Sequence, residues 1–263
     1  MKIFVINLKK DKEKLNSILA QFKKYNITDF EIVEAVNGSE LSNEELLEKY
    51  NEKRTKRVFR ELSLPEIGCT LSHLAVYKKI IKENKRCLII EDDVILKDDI
   101  EKFNSYEIKS DVDIMFFGLF TSNLELNKNQ KKEFKFEKLK LSYNDKKIVS
   151  RCYLKDEKEN HNGIDFYRID QQSYLIDFVQ GTHAYAPSPS CCKKLISINT
   201  PIIFIADNIW NYTKFSLYTP INNLIELNYN CISDLEKERK LLTKTKNFSN
   251  VFLKRITNIK FGT

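Results

Sequence analysis

The stretch Cys87 to Asp93, CLIIEDD, constrains the fold of this chain more than any other. Cys87, Leu88, Ile89 and Ile90 form an apolar run of strand length, the pattern of a strand covered on both faces. Three acids, Glu91, Asp92 and Asp93, follow at its carboxyl end, the edge at which open α/β sheets bind ligands. Strand alternation puts Glu91 and Asp93 on one side and Asp92 on the other. Two carboxylates about 6 Å apart repel by about 3 kcal/mol at an effective dielectric of about 20, a large part of a domain's net stability. A cation or a row of donors relieves that repulsion. Hard oxygen ligands suit Mg²⁺ or Mn²⁺, ions that usually carry a substrate diphosphate. Taken alone, the same residues also fit a solvated acidic turn before a helix starting near Asp98.

The flanking sequence supplies the rest of a layered α/β domain. Ile3 to Leu8 reads as a strand, and Asp11 is placed to cap a helix carrying Leu15, Ile18, Leu19 and Phe22 at helical spacing. Phe30 to Val33 is a second strand, Asn37-Gly38 a turn, and Ser42 with Glu45 a capping box. Asn51 to Arg60 is charged and reads as a mobile surface segment. After Pro65 comes EIGCTLSHLAVYKKII, apolar on two sides and therefore a deeply buried helix. Beyond the acids, a helix is expected over Asp98 to Phe103 and a buried strand over Val112 to Phe117. Two short strands broken at Gly181 follow within Tyr174 to Ala186, then a helix opened by Ser188-Pro189, and a late strand over Phe215 to Pro220. Strands alternating with helices predict a mostly parallel central sheet flanked by helices.

One domain over residues 1–235 with a basic tail over 236–263 is the simplest partition. Residues 121–170 are polar, Lys-rich and weakly periodic, an insertion of the kind that shapes a binding site. Of the net charge of +7 over 263 residues, +6 lies in the tail, which has eight Lys or Arg against two acids. Within the tail, Phe248, Val251, Phe252, Ile256 and Ile259 recur at near-helical spacing, the pattern of a basic amphipathic helix on an anionic membrane face or of a helix packed on its own domain. The six cysteines include no CxxC pair, which argues against a zinc or disulfide framework and for a reducing compartment. MKIFVINLKK is too short an apolar run for a signal peptide or a span.

There is no GxxxxGK[ST], GxGxxG, HExxH or GxSxG, so P-loop, Rossmann, zinc-hydrolase and nucleophile-elbow chemistry all lose support. A nucleotide would then have its phosphates held through a metal. His73 reads as a hydrogen-bonded core histidine and His161 as solvated. His183, after Gly181, reads as a strand residue that could reach a metal or a phosphate. Asp207 follows an apolar strand and fits either a helix N-cap or a general base.

Together these residues resemble glycosyltransferase family 25, the lipooligosaccharide-biosynthesis glycosyltransferases related to the collagen galactosyltransferases. Ile6-Asn7-Leu8 is similar to the family's opening strand, and Glu66-Ile67-Gly68-Cys69 with Leu71-Ser72-His73 to its central motif. Ile90-Glu91-Asp92-Asp93 is similar to its acidic motif, and Gly181-Thr182-His183-Ala184-Tyr185 to its C-terminal block. The resemblance implies a GT-A-like nucleotide-sugar fold, a UDP-sugar donor, most often UDP-galactose, and inversion at the anomeric carbon. It implies Asp93 as the ligand of Mn²⁺ or Mg²⁺, with Asn7, Glu66, Glu91, Asp92 and His183 around the donor and Asp207 as the base. The acceptor implied is a hydroxyl of a lipid-linked surface glycan, which places the enzyme in the cytoplasm, peripheral to the membrane. Lys9, Lys10 and Lys12 stand where the family often has Arg, and Asn37 where an Asp is usual. Three other readings compete. A metal-dependent phosphoesterase or nucleotidyltransferase lacks a second ligand cluster. A nucleic-acid-binding module lacks any recognition motif, so no nucleic-acid partner is expected. The third is a non-catalytic scaffold.

Overall fold

The computed structural model describes residues 1–58, 60–98, 100, 108–118, 158–161, 164–168, 173–176, 181–212, 215–220, 224–228 and 231. Most of the insertion, the predicted helix beyond Asp98 and the basic tail lie outside the described residues.

The chain opens with β1 (Ile3–Asn7), α1 (Lys12–Lys24) and β2 (Phe30–Glu34), a strand–helix–strand unit in which β1 and β2 pair in parallel. A 3₁₀ turn (Gly38–Glu40) and α2 (Asn43–Lys49) follow, the latter opened by the expected Ser42/Glu45 capping box. Next come α3 (Glu52–Val58) and the 20-residue α4 (Leu64–Glu83), which delivers the chain into β3 (Leu88–Glu91). The remaining elements are β4 (Val94–Leu96), β5 (Ile114–Phe116), β6 (Lys158–His161), β7 (Ile164–Arg168), β8 (Ser173–Ile176), β9 (Ala184–Pro187), α5 (Pro189–Ile198), a 3₁₀ segment (Ala206–Tyr212), β10 (Leu217–Pro220) and β11 (Ile225–Leu227).

Among the described residues the main sheet has nine strands in the order β2-β1-β3-β9-β5-β10-β8-β7-β6. In its first six, five strands run the same way and β9 runs against them between β3 and β5. This is the mostly parallel, helix-flanked α/β architecture expected of a GT-A-like fold. The last three strands add an antiparallel extension, and β6–β7 is a hairpin at the end of the polar insertion.

Alternation along the strands divides the core in two. Phe4, Ile6, Ile89, Phe116 and Tyr185 face α4 and α5 and pack with Ile67, Tyr77, Ile80 and Trp210. Ile3, Val5, Leu88, Ile90 and Met115 face the other way and pack with Ile18 and Phe22 of α1. The two apolar stripes of α4 are thereby explained, since the helix lies between the sheet and α5.

Two sequence expectations are corrected. Residues 51–60 are not a loose surface segment. Asn51 Oδ1 accepts from the Arg54 N–H, Lys56 bridges Glu52 and Glu61, and Thr55 is buried, so residues 52–58 form a helix. Asp11 precedes α1, but its side chain makes no capping bond; its carbonyl instead accepts from Asn7 Nδ2. Between the acids and Asp98 lies β4, a strand the sequence did not suggest, which pairs antiparallel with β11.

Candidate active site

Register brings the acids together with their neighbours. The β1–β3 pairing sets Ile6 opposite Glu91, so Asn7 lies beside Asp92, and Asn7 Nδ2 donates to Asp92 Oδ2 at 2.6 Å. The β3–β9 pairing sets Ala184 opposite Ile90, so His183 lies beside Glu91, and the Glu91 N–H donates to the His183 carbonyl at 3.1 Å. Glu91 continues the Ile89 face and points at α4. Asp92 turns toward α1, where Lys14 Nζ is 3.6 Å away. Glu91 and Asp92 thus point to opposite sides, as alternation predicts, although the strand ends at Glu91 and the two aspartates sit in the following turn.

The EIGCTLSH helix organises the other side, one residue at a time. Glu66 is the N3 residue of a capping box with Ser63 and takes both guanidinium nitrogens of Arg60. Gly68 has no Cβ because Val36 O and Gly38 N lie where one would be. Thr70 Oγ1 accepts from the Ala206 N–H, which fixes the segment carrying Asp207. Ser72 Oγ accepts from the Val36 N–H. Cys69 and His73 face the acids: one ligand atom from each of Cys69, His73 and Glu91 lies within 4.8 Å of the others, a grouping that could hold a metal ion. Neither the Ser63-x-x-Glu66 box nor the Arg60 partnership was read from the sequence, although the box's Ser-x-x-Glu spacing is a local signal. Removing the guanidinium leaves a carboxylate that is 3% exposed without its cation. Arg60→Ala is therefore expected to destabilise the protein by about 1–2 kcal/mol, measurable by urea denaturation.

Thr182, which the sequence reading named only as part of the Gly181–Tyr185 block, joins the two halves. Its hydroxyl lies within hydrogen-bond reach of Glu91 Oε1, at very short range, and of Asp207 Oδ1 at 3.0 Å. The Gly181 N–H donates to the Asp207 carbonyl, and Gly181 takes φ +96°, a conformation natural only to glycine. Asp207 stands inside the first turn of its 3₁₀ segment rather than capping it from outside. His183 is buried beside Gly118, and neither of its ring nitrogens has a hydrogen-bond partner in the structure.

The electrostatics single out Asp93. Burial, then the Glu91 charge, push its carboxyl up to about 7, and its Oδ1 is buried without a hydrogen-bond partner. Burial also raises Asp92, outweighing Lys14 and Asn7. Glu91 goes the other way. Burial disfavours its charge, but His73, Thr182 and His183 outweigh that and hold it below the ordinary carboxylate range. Burial depresses His183 to about 4, against a small opposing pull from Glu91, so its imidazole is neutral at pH 7. Burial and the neighbouring acids keep the Cys69 thiol protonated. Among the described residues the site therefore sets three acids against one close ammonium, Lys14, and leaves one buried carboxylate oxygen, Asp93 Oδ1, without a donor, a setting that suits a divalent cation.

A family model described as "Glycosyltransferase family 25 (LPS biosynthesis protein)" matches residues 1–210. The chain belongs to glycosyltransferase family 25. Within that span lie all the family 25 motifs quoted above, now gathered at the carboxyl ends of β1 and β3. The chain is 39% identical over 97 residues to procollagen galactosyltransferase 2 of Mus musculus, covering 35% of this chain and 15% of that protein. It is 37% identical over 105 residues to procollagen galactosyltransferase 2 of Homo sapiens, covering 38% and 17%. It is 32% identical over 132 residues to the procollagen lysyl hydroxylase and glycosyltransferase of Acanthamoeba polyphaga mimivirus, covering 43% and 14%. The matched segment is thus less than a fifth of each of these much longer relatives.

Proposed function

We propose that this family 25 glycosyltransferase moves galactose from UDP-galactose, with inversion, onto a hydroxyl of a glycan acceptor, assisted by Mn²⁺ or Mg²⁺. The observation that carries this reading is Asp93, a buried carboxyl with an unpartnered oxygen beside Glu91 at the carboxyl end of β3. The residues fit a hard cation: Asp93 would hold it, with Glu91 next in line. A bound divalent ion would neutralise diphosphate charge as UDP leaves.

The chain's own groups supply the rest. Asn7 and Lys14 hold Asp92 toward α1, where it can meet the donor's ribose or sugar. Neutral His183 presents ring nitrogens able to contact a phosphate or the cation. Asp207 accepts the proton of the attacking hydroxyl, and Thr182 and Thr70 hold it in position. Glu66 supports this arrangement from the Arg60 side. The family's lipopolysaccharide description favours a lipid-linked oligosaccharide acceptor. A protein hydroxyl is the second reading, favoured by the names of the procollagen galactosyltransferases. With a lipid-linked acceptor, the basic tail would dock the enzyme on the cytoplasmic face of an anionic membrane. No helix among the described residues is long and apolar enough to cross one.

A thermal-shift panel of nucleotide sugars with and without Mn²⁺ tests the class and the donor together. At a hundredfold excess over Kd, a binder raises stability by about 2.7 kcal/mol, or roughly 5–10 °C for a chain of this size. Stabilisation by UDP-galactose only with metal is the expected result; equal stabilisation by unrelated nucleotides would contradict it.

A further inference from the structure

The acid site is joined to the hydrophobic core by an unusual run of polar groups. Tyr77 of α4 and Tyr185 of β9 are almost fully buried, and their hydroxyl oxygens are 2.7 Å apart. Tyr185 Oη is also 2.7 Å from His73 Nδ1, and the two rings are stacked with centroids 5.8 Å apart. On its other side His73 presents Nε2 toward Glu91 Oε1 at 3.4 Å, a separation without a well-formed hydrogen bond. Glu91 Oε1 is the same oxygen that Thr182 approaches. The run therefore reads Tyr77, Tyr185, His73, Glu91, with one hydroxyl proton on each tyrosine.

We infer that Tyr77 and Tyr185 are positioning residues whose hydroxyls all donate toward Glu91, fixing His73 with its proton on Nε2 so that it aims an N–H at the Glu91 carboxylate. The direction follows from the end of the chain. A carboxylate offers only lone pairs, so an Nε2 lone pair facing it would be repelled and an Nε2–H attracted. In a neutral ring with its proton on Nε2, Nδ1 keeps a lone pair and accepts from Tyr185. The Tyr185 oxygen then accepts from Tyr77. Burial holds both phenols far above their ordinary range, so each retains the proton this order needs. In the interior such a chain polarises along its length, and reversing one member frustrates the others. Only the assignment of Glu91 to the donor site rests on the function proposed above.

The test uses the full chain with ¹⁵N-labelled histidine. Long-range ¹H–¹⁵N correlation of the unliganded protein reads the His73 tautomer directly, and His73→Gln assigns its signals. The expected result is an Nε2-protonated, Nδ1-accepting ring. Tyr185→Phe, which removes the donor to Nδ1, is expected to lose the single tautomer and to weaken binding of UDP with Mn²⁺ by about tenfold or more. Tyr77→Phe keeps the Tyr185 hydroxyl and is expected to retain the tautomer, with a smaller loss of affinity. Circular dichroism melting checks that both variants fold. An Nδ1-protonated or doubly protonated His73 in the wild type, or an unchanged tautomer in folded Tyr185→Phe, would overturn the inference. Failure of the wild type to bind UDP would count against the proposed function instead, because the tautomer is read without ligand.

Discussion

Asp93→Asn is expected to give a protein that melts higher than the wild type and no longer transfers sugar. Both effects come from the same buried carboxyl. In the unliganded protein, burial and Glu91 push Asp93 up to about 7. Below the ordinary carboxylate pKa, native and unfolded chains both hold the proton, and Asp93 costs nothing. As pH rises toward 7 the unfolded chain ionises while the native one does not, so stability falls. Above 7 the cost is constant, on the order of 1–3 kcal/mol. Asparagine removes it. The melting temperature of Asp93→Asn should therefore exceed that of the wild type by roughly 3–10 °C at pH 8, with the gap closing by pH 4. Transfer activity should fall about 10²–10³-fold, the several kcal/mol that a cation supplies to a departing diphosphate. A variant that melts higher yet transfers normally would remove Asp93 from the metal site.

The second large effect is structural and lies away from the acids. A Cβ on Gly38 would sit 1.7 Å from the Leu64 carbonyl oxygen, and one on Gly68 would sit 2.5 Å from both Gly38 N and Val36 O. All of these neighbours are backbone atoms, so no side-chain rotation relieves the overlap. Gly38→Ala must push the 3₁₀ turn away from the start of α4, separating Ser72 from Val36 and loosening the helix that carries Cys69 and His73. A loss of about 3 kcal/mol or more is expected, with Gly68→Ala somewhat milder. Guanidinium denaturation reads the loss directly. A Gly38→Ala protein as stable as the wild type would mean that the two segments do not meet.

What was legible in the sequence was what short-range chemistry decides. The apolar run into Glu91, the two stripes of α4 and the Ser42 and Ser188 caps all depend on residues within a few positions of one another. Alternation alone sent Glu91 and Asp92 to opposite sides. The antiparallel insertion of β9 between β3 and β5 was not legible, because no local pattern states which strand will be a neighbour. Yet that insertion brings Thr182 and His183 to the acids. The same holds for Gly38 against Gly68 and for Arg60 on Glu66, pairs whose members carry no mark of each other. Residues 51–60 misled for a different reason. Their charge suggested solvent, but charges at helical spacing satisfy one another and stabilise a short helix. His73 was read as a core histidine, and it is one; that a core position could also touch the acid site needed the strand register.

Titration of Mn²⁺ in the presence of UDP, followed by the loss of free-ion EPR signal, tests most directly whether the EDD acids hold a divalent cation with the donor's diphosphate. The wild type should bind one Mn²⁺ with an affinity that rises as pH passes through about 7, since the cation needs Asp93 ionised. Asp93→Asn should abolish that binding, and Cys69→Ser should leave it in place. Binding that survives Asp93→Asn with no dependence on pH, or that disappears with Cys69→Ser instead, would contradict the account.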